Sequence, residues 1–272
     1  MTGKNRLTSV ILIGAAGRMG RTVGRRFLVD KKVELAGAID CACAGKSCGS
    51  IYGIDQPGPD IMVKIEDLPN SIEADIALDF SVVENSEARI EACMVRGWDV
   101  LIGTTGFGES EKSAFIKLAE KYDRRIVLVP NFTLGVNLLM KFSEIAGGVF
   151  EHAEIIELHH DKKTDAPSGT SVRTANLIAS GRDRPEPPGP LDPSRGKTVD
   201  NIPIHSVRLP GLIAHQEVIF GGEGEILTIR HDTTDRAAFL PGIYLAIDRI
   251  NKLKPGFHIG LDWAFNPTCP PV

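Results

Sequence analysis

The chain has 272 residues, 42% of them hydrophobic and 24% charged, with a formal net charge of −4. That length carries one or two domains with an ample core, and the slightly acidic balance gives no global pull toward nucleic acid or an anionic membrane. No apolar run approaches a membrane span and the N-terminus lacks the pattern of a signal peptide, so the expectation is a cytoplasmic protein with no nucleic-acid or membrane partner.

Val10-Ile11-Leu12-Ile13 is a short apolar run suited to a strand buried on both faces. Gly14-Ala15-Ala16-Gly17-Arg18-Met19-Gly20 follows at once. Arg18 to Asp30 then carries helical spacing, with Met19, Val23, Phe27 and Leu28 on one side. Val33 to Ile39 reads as a second strand, and Asp40 ends it twenty residues after Gly20. This is the dinucleotide-binding arrangement. Glycines let the backbone approach a pyrophosphate, and an acid at the end of the second strand holds ribose hydroxyls. The spacing is imperfect, because Ala15 stands where the first glycine of G-x-G-x-x-G would fall. The surrounding strand, helix, strand and acid carry the reading.

Just beyond Asp40 lie Cys41, Cys43 and Cys48; Cys93 and Cys269 complete the five cysteines. The cluster has no convincing fourth ligand and no paired C-x-x-C spacing, so reduced thiols are expected and no metal site. Strand and helix then alternate to about residue 130. Ala74 to Ser81 is a buried strand, Val82 to Gly97 a helix, and Asp99 to Ile102 a strand ending in Gly103-Thr104-Thr105-Gly106-Phe107. Ser110 to Tyr122 is a helix, and Arg125 to Val129 a strand ending in Pro130-Asn131-Phe132. Ligands of a doubly wound sheet sit beyond the carboxyl ends of its strands. The candidate cofactor residues are therefore Gly14, Ala15, Ala16, Gly17, Arg18, Met19, Asp40, Gly103, Thr104, Thr105, Val129, Pro130, Asn131 and Phe132.

From about Asn131 the character changes. A helix (Val136 to Ala146) leads into strand-rich sequence: Ala153 to Leu158, Ile204 to Leu209, His215 to Phe220 and Glu225 to Arg230. Val218 to Ile229, with Gly221-Gly222 between apolar runs, reads as a hairpin. Residues 182 to 203 carry prolines 185, 187, 188, 190, 193 and 203, a composition for a long loop serving as interface or lid and not for helix or strand. Phe239 to Leu253 is a final helix, ended by Pro255-Gly256.

Glu157-Leu158-His159-His160-Asp161-Lys162-Lys163-Thr164-Asp165-Ala166-Pro167-Ser168-Gly169-Thr170 is the most informative stretch. His159, His160 and Lys163 place proton donors and a cation together at a strand end and loop. Adjacent strand residues face opposite ways, which argues against the two imidazoles as a metal pair. Pro167-Ser168-Gly169-Thr170 opens a helix whose N–H groups favour an anion. Protons to give and two ways to hold carboxylates suit a small, multiply anionic substrate.

The chain resembles the dihydrodipicolinate reductase family over nearly its whole length. The resemblance rests on Gly14 to Gly20, Gly103 to Phe107, Asn131-Phe132 with Gly135-Val136-Asn137, and above all Glu157 to Thr170. Ser206-Val207-Arg208, His215, Phe220, Glu225, His231 and Arg236 fit more loosely. Leu209-Pro210, Asp235 to Gly242 and the cysteine-rich loop after Asp40 depart from the family pattern. The resemblance implies a Rossmann-like, doubly wound parallel sheet formed by residues 1–130 and 237–272. It implies a second α+β domain with a mixed sheet, residues 131–236, that binds substrate and builds a homotetramer. It further implies His159 as general acid, Lys163 as a second proton-donating or polarising group, and His160, Ser168, Gly169 and Thr170 as substrate-binding residues. The cofactor is NADH or NADPH. Asp40 favours NADH, because a 2′-phosphate there meets a like charge. Cys41 to Gly45 offers no arginine, and Lys46 is the nearest cation that could rescue NADPH. A different Rossmann dehydrogenase would lack the His-His-x-x-Lys and Ser-Gly-Thr run. A nucleotide-sensing regulator would need a basic DNA-reading helix that is not present.

Overall fold

The computed structural model describes residues 6–182 and 192–265. Cys269 and residues 183–191 of the expected proline-rich loop lie outside them. The chain divides into two compact units, Met1–Phe132 with Leu240–Val272, and Thr133–Phe239.

The first unit opens with β1 (Ser9–Ile13), buried at every position, then α1 (Arg18–Asp30) and β2 (Glu34–Ile39). Helix α1 buries Gly20, Val23, Gly24 and Phe27, so the apolar stripe sits on the side read from its spacing, while Met19 and Leu28 border it half-buried. Next come α2 (Cys48–Tyr52), β3 (Ile61–Met62), β4 (Ile76–Asp79), α3 (Ser86–Val95), β5 (Asp99–Ile102), α4 (Glu109–Tyr122) and β6 (Arg125–Leu128). Helix α3 begins four residues later than its periodicity predicts. The reason is a side chain: Arg89 takes the carbonyls of Val82 (2.5 Å) and Glu84 (3.0 Å) and pairs through Nε with Asp79 (2.9 Å), so residues 82–85 form a loop around the guanidinium. Asn85 closes that loop at a left-handed φ of 56°.

The second unit holds α5 (Leu134–Gly147), β7 (His152–His159), α6 (Gly169–Ser180), β8 (Lys197–Val199), β9 (Ile202–Arg208), β10 (Ala214–Gly222) and β11 (Glu225–Thr233). Its sheet runs β11-β10-β7-β9-β8 and is mixed, since β7 pairs parallel to β9 and antiparallel to β10. Ala153, Ile155, Val218, Phe220, Ile202 and Ile204 face one side and pack with Leu139, Met140, Ala175 and Ile178 of the two helices. Two expectations are corrected here. Lys197–Val199 is a strand and not loop, because Asp200 and Asn201 (φ 47° and 63°) make a two-residue turn that folds it onto β9. The β10–β11 hairpin turns at Glu223-Gly224, with Gly221 and Gly222 inside the strand.

At Leu240 the chain rejoins the first unit as α7 (Leu240–Arg249) and β12 (Gly256–Ile259). The final helix is shorter than expected, flanked by 3-10 turns at Arg236–Phe239 and Ile250–Lys252. The unforeseen β12 completes a seven-stranded, all-parallel sheet, β12-β6-β5-β4-β1-β2-β3. No helix among the described residues is long and apolar enough to cross a membrane.

Candidate active site

The candidate cofactor residues lie in the first unit. Gly14 has φ 77°, and a Cβ there would stand 2.7 Å from the Phe80 carbonyl oxygen. A Cβ on Gly20 would overlap the Gly14 carbonyl oxygen, so the first turn of α1 can lie against the end of β1 only with glycine there. These glycines bring the N-terminus of α1, with its unpaired N–H groups, to the sheet's carboxyl edge. Ala15 is fully buried, and its N–H donates to Ile39 O (3.1 Å), so it performs the turn's backbone task without glycine.

Asp40 ends β2 as expected, and its carboxylate also builds the loop. It accepts from Ala16 N (2.9 Å) and, capping the turn Cys41–Cys43, from Ala42 N (2.9 Å). A cleft of 590 Å³ opens here, lined among others by Gly14, Gly17, Asp40, Cys41, Ser81 and Asn85. Its size and its glycine rim fit the adenosine end of a dinucleotide. Lys64, Glu66, Glu84 and Arg89 also line it and were not foreseen. Only topology places them there, since nothing in the spacing links residue 64 to residue 40. Lys46 is not among the lining residues; its carbonyl and N–H bond to Ile61 N and Cys43 O instead.

The other expected cofactor residues divide in two. Arg18, Thr105 and Pro130 are exposed and Ala16, Met19, Gly103 and Asn131 partly so, while Gly17 faces solvent at the helix start. Thr104, Val129 and Phe132 are buried: Thr104 Oγ1 donates to Ser81 O (3.1 Å), Val129 N to Ile102 O (2.8 Å), and Phe132 packs edge-on against Phe80. None of these three lines the cleft; Thr104 and Phe132 back it through Ser81 and Phe80, which do. Of the cysteines, Cys41 is exposed, Cys43 is half-buried and 3.9 Å from Arg21, and Cys48 and Cys93 are buried. Burial pushes the Cys48 thiol up to about 11.

The second unit builds its site from side chains. Glu157 and His159 are two apart on β7 and share its inner face. Neighbouring strands supply Arg208, opposite His159 on β9, and Gln216, opposite Glu157 on β10. Glu157 is fully buried and surrounded by donors. His159 Nδ1 contacts Oε2, Arg208 spans both oxygens (2.9 and 2.7 Å), and Ser168 N donates to Oε1 (3.3 Å). Burial alone pushes this carboxyl up; the bonds from His159, Arg208 and Ser206 outweigh it and hold it down at about 2.

Helix α6 starts beside this carboxylate. Ser168 caps it, its Oγ accepting from Ser171 N (3.2 Å) and sharing a hydrogen bond with Ser171 Oγ (2.7 Å). Ser171 Oγ donates to Gln216 Oε1 (2.9 Å), and Gln216 Nε2 to Thr174 Oγ1 (2.7 Å). Ser168 is 2% exposed and its hydroxyl is engaged in the cap. Val172 N is taken by Ser168 O, leaving the N–H groups of Gly169 and Thr170 as the anion-facing pair at the helix start. A Cβ on Gly169 would meet nothing within 4 Å, so the approach is open.

His160 lies one residue past β7 and is half-buried, while His159 keeps 15% of its side chain exposed. Lys163 Nζ is bound by the Asp165 carboxylate (2.7 and 2.8 Å). Burial works against the Asp165 charge, but Lys163 more than offsets it and holds the carboxyl below its ordinary value. Arg208 also donates to Asp165 O (2.8 Å), tying the Lys163 loop to the Glu157 cluster. Sequence reasoning quoted Glu157 without giving it a role. Its position two before His159 on a strand was the signal, whereas Arg208 and Gln216 needed the register of three strands.

Comparisons with known proteins identify the family. The family described as dihydrodipicolinate reductase, N-terminus, matches residues 8–132, and its C-terminus counterpart matches residues 135–262. A 4-hydroxy-tetrahydrodipicolinate reductase of Moorella thermoacetica is 43% identical over 257 residues, 93% of this chain and 96% of that protein. A namesake in Bacillus cereus is 39% identical over 90% of this chain and 94% of the relative. Among solved structures, a dipicolinate-bound dihydrodipicolinate reductase from Paenisporosarcina sp. TG-14 matches with TM-score 0.79 and 34% identity, covering 94% of this chain and 98% of that one. Aspartate semialdehyde dehydrogenase II of Vibrio cholerae shares the fold alone (TM-score 0.54, 12% identity, covering 90% of this chain and 99% of that one). With both family halves matched in order and relatives of this identity covering 90–93% of it, the chain belongs to the dihydrodipicolinate reductase family.

Proposed function

We propose that the protein reduces 4-hydroxy-tetrahydrodipicolinate to tetrahydrodipicolinate with a reduced nicotinamide dinucleotide, in lysine biosynthesis through diaminopimelate. The observation that carries this is the pairing, in one family-matched chain, of the glycine-rimmed cleft with the His159–Lys163–Gly169 cluster. The first unit takes the dinucleotide. The second takes the substrate and assembles a homotetramer in the cytoplasm.

The bound cofactor supplies the hydride. The chain's own groups do the rest. The hydroxy substrate loses its hydroxyl and a neighbouring proton as water to give a conjugated cyclic imine; addition of a hydride to this leaves an electron-rich enamine, and its carbon takes a proton from His159 Nε2. Lys163 faces the developing negative charge as a point cation. One substrate carboxylate is held by the N–H groups of Gly169 and Thr170 at the start of α6, with His160 beside them. The dipicolinate in the Paenisporosarcina relative is a ligand of this chemical type, a planar dicarboxylate.

NADH is the favoured cofactor and NADPH the second. Asp40 presents a carboxylate to the ribose, and Glu66 and Glu84 add negative charge to the same cleft. Lys64, which lines that cleft, takes the place assigned to Lys46 as the cation that makes a 2′-phosphate tolerable. The test is oxidation of NADH and of NADPH with and without a coupled source of the hydroxy substrate. Substrate-dependent oxidation, faster with NADH, is expected; no substrate-dependent oxidation with either cofactor overturns the proposal.

A further inference from the structure

We infer that Glu157 is a positioning residue for turnover, fixing the proton-bearing tautomer of His159 and the start of α6 with one buried carboxylate. The inference rests on the reading of His159 as proton donor and goes beyond it.

Two Arg208 nitrogens and Ser168 N donate to the Glu157 carboxylate, the Ser206 side chain also bonds it, and His159 Nδ1 contacts its Oε2. An ionised carboxylate carries no proton of its own, so the hydrogen between Glu157 and His159 belongs to Nδ1. The neutral ring is then the Nδ1–H tautomer. A second proton enters and leaves only at Nε2, the nitrogen turned away from Glu157. Giving that proton to the enamine carbon returns the ring to a form Glu157 already holds, with no tautomer exchange between turnovers. The other oxygen meets Ser168 N, one residue before the Gly169 and Thr170 N–H pair. A shift of the carboxylate therefore moves the donor and the carboxylate clamp together. Arg208 makes this arrangement rigid, since its planar fork binds both Glu157 oxygens.

A side chain serving only the fold would lower stability when changed, without selecting one kinetic constant. The test is Glu157→Gln, nearly the same shape but with an NH2 set among donors. kcat is expected to fall about 10²–10⁴-fold, the range of a lost general acid or a mis-set imidazole tautomer, while the substrate KM changes only a few-fold. Nitrogen-15 spectra of the His159 ring are expected to show Nδ1–H in the wild type and a mixture of tautomers in the variant. A folded Glu157→Gln protein with kcat within three-fold of wild type overturns the inference. So does a wild-type spectrum with the neutral ring protonated on Nε2, which reads the tautomer even if the variant does not fold. His159→Ala separates the two failures. Full loss of turnover in His159→Ala beside normal turnover in Glu157→Gln sinks this inference alone, whereas normal turnover in His159→Ala sinks the proton-donor reading itself.

Discussion

The two candidate sites, one in each unit, are made of different material. The nucleotide cleft is made by main chain: missing Cβ atoms at Gly14 and Gly20, N–H groups at the head of α1, and strand ends in a parallel sheet. The substrate cluster is made by side chains buried across three strands and the first turn of a helix. A main-chain site tolerates changes of residue type that keep the backbone path, which is why Ala15 can stand where a glycine is usual. A side-chain network tolerates few, because each buried donor or acceptor left without a partner costs about 1–3 kcal/mol.

That contrast is broken most severely at the two proposed proton donors. His159→Ala and Lys163→Ala are expected to lower kcat about 10²–10⁴-fold while leaving NADH affinity near wild type, measured by cofactor fluorescence titration beside steady-state rates. Equal losses in both quantities would show that the two halves are not separable. Gly20→Ala attacks the main-chain half. Its methyl meets the Gly14 carbonyl, so overpacking of about 1–3 kcal/mol should lower Tm and weaken NADH binding more than substrate binding. An unchanged Tm would mean the turn can widen at no cost.

A third expectation concerns acid. The Glu157 carboxyl is held low in the folded protein, at about 2, against an ordinary value of 4.5. A depressed carboxylate contributes stability that is complete above the unfolded value and is lost as pH falls toward the folded one. Wild-type Tm should therefore drop between pH 4.5 and about 2 more steeply than that of Glu157→Gln; parallel curves would refute the low value. The smallest effect is expected at the cleft's rim. Lys64→Ala should weaken NADPH binding roughly three- to ten-fold and NADH binding hardly at all, as a partly screened contact to one phosphate warrants. Loss of both in parallel would assign Lys64 to the fold of the loop.

The same contrast decides what could be read before the structure was known. Strand, glycine turn, helix and acid follow one another along the chain between residues 9 and 40, so the main-chain half was legible in order. Local competition blurred it where a side chain captured the backbone, as Arg89 does ahead of α3, and β12 was not read at all. The proton donors were legible as a cluster, since His159 to Thr170 are contiguous. Their support was not, because Arg208 and Gln216 are 51 and 59 residues from Glu157 and reach it only through strand register. Likewise Lys197–Val199 was hidden by the prolines around it, although Asp200-Asn201 carried the turn chemistry that folds it back.

Strand β12 has a consequence for how the protein is made. Residues 256–259 pair with β6, and Arg125 Nε holds the carbonyl of Leu253 (2.6 Å). A ribosome thus delivers the whole of the inserted unit, residues 133–239, before the last strand of the older sheet leaves the exit tunnel. Until then β6 is an open edge with unsatisfied amides, the kind of surface that pairs with strangers. Truncation before Gly256 freezes the nascent chain at that point. Such fragments are expected to aggregate, whereas a chain that includes Gly256–Ile259 has the edge covered.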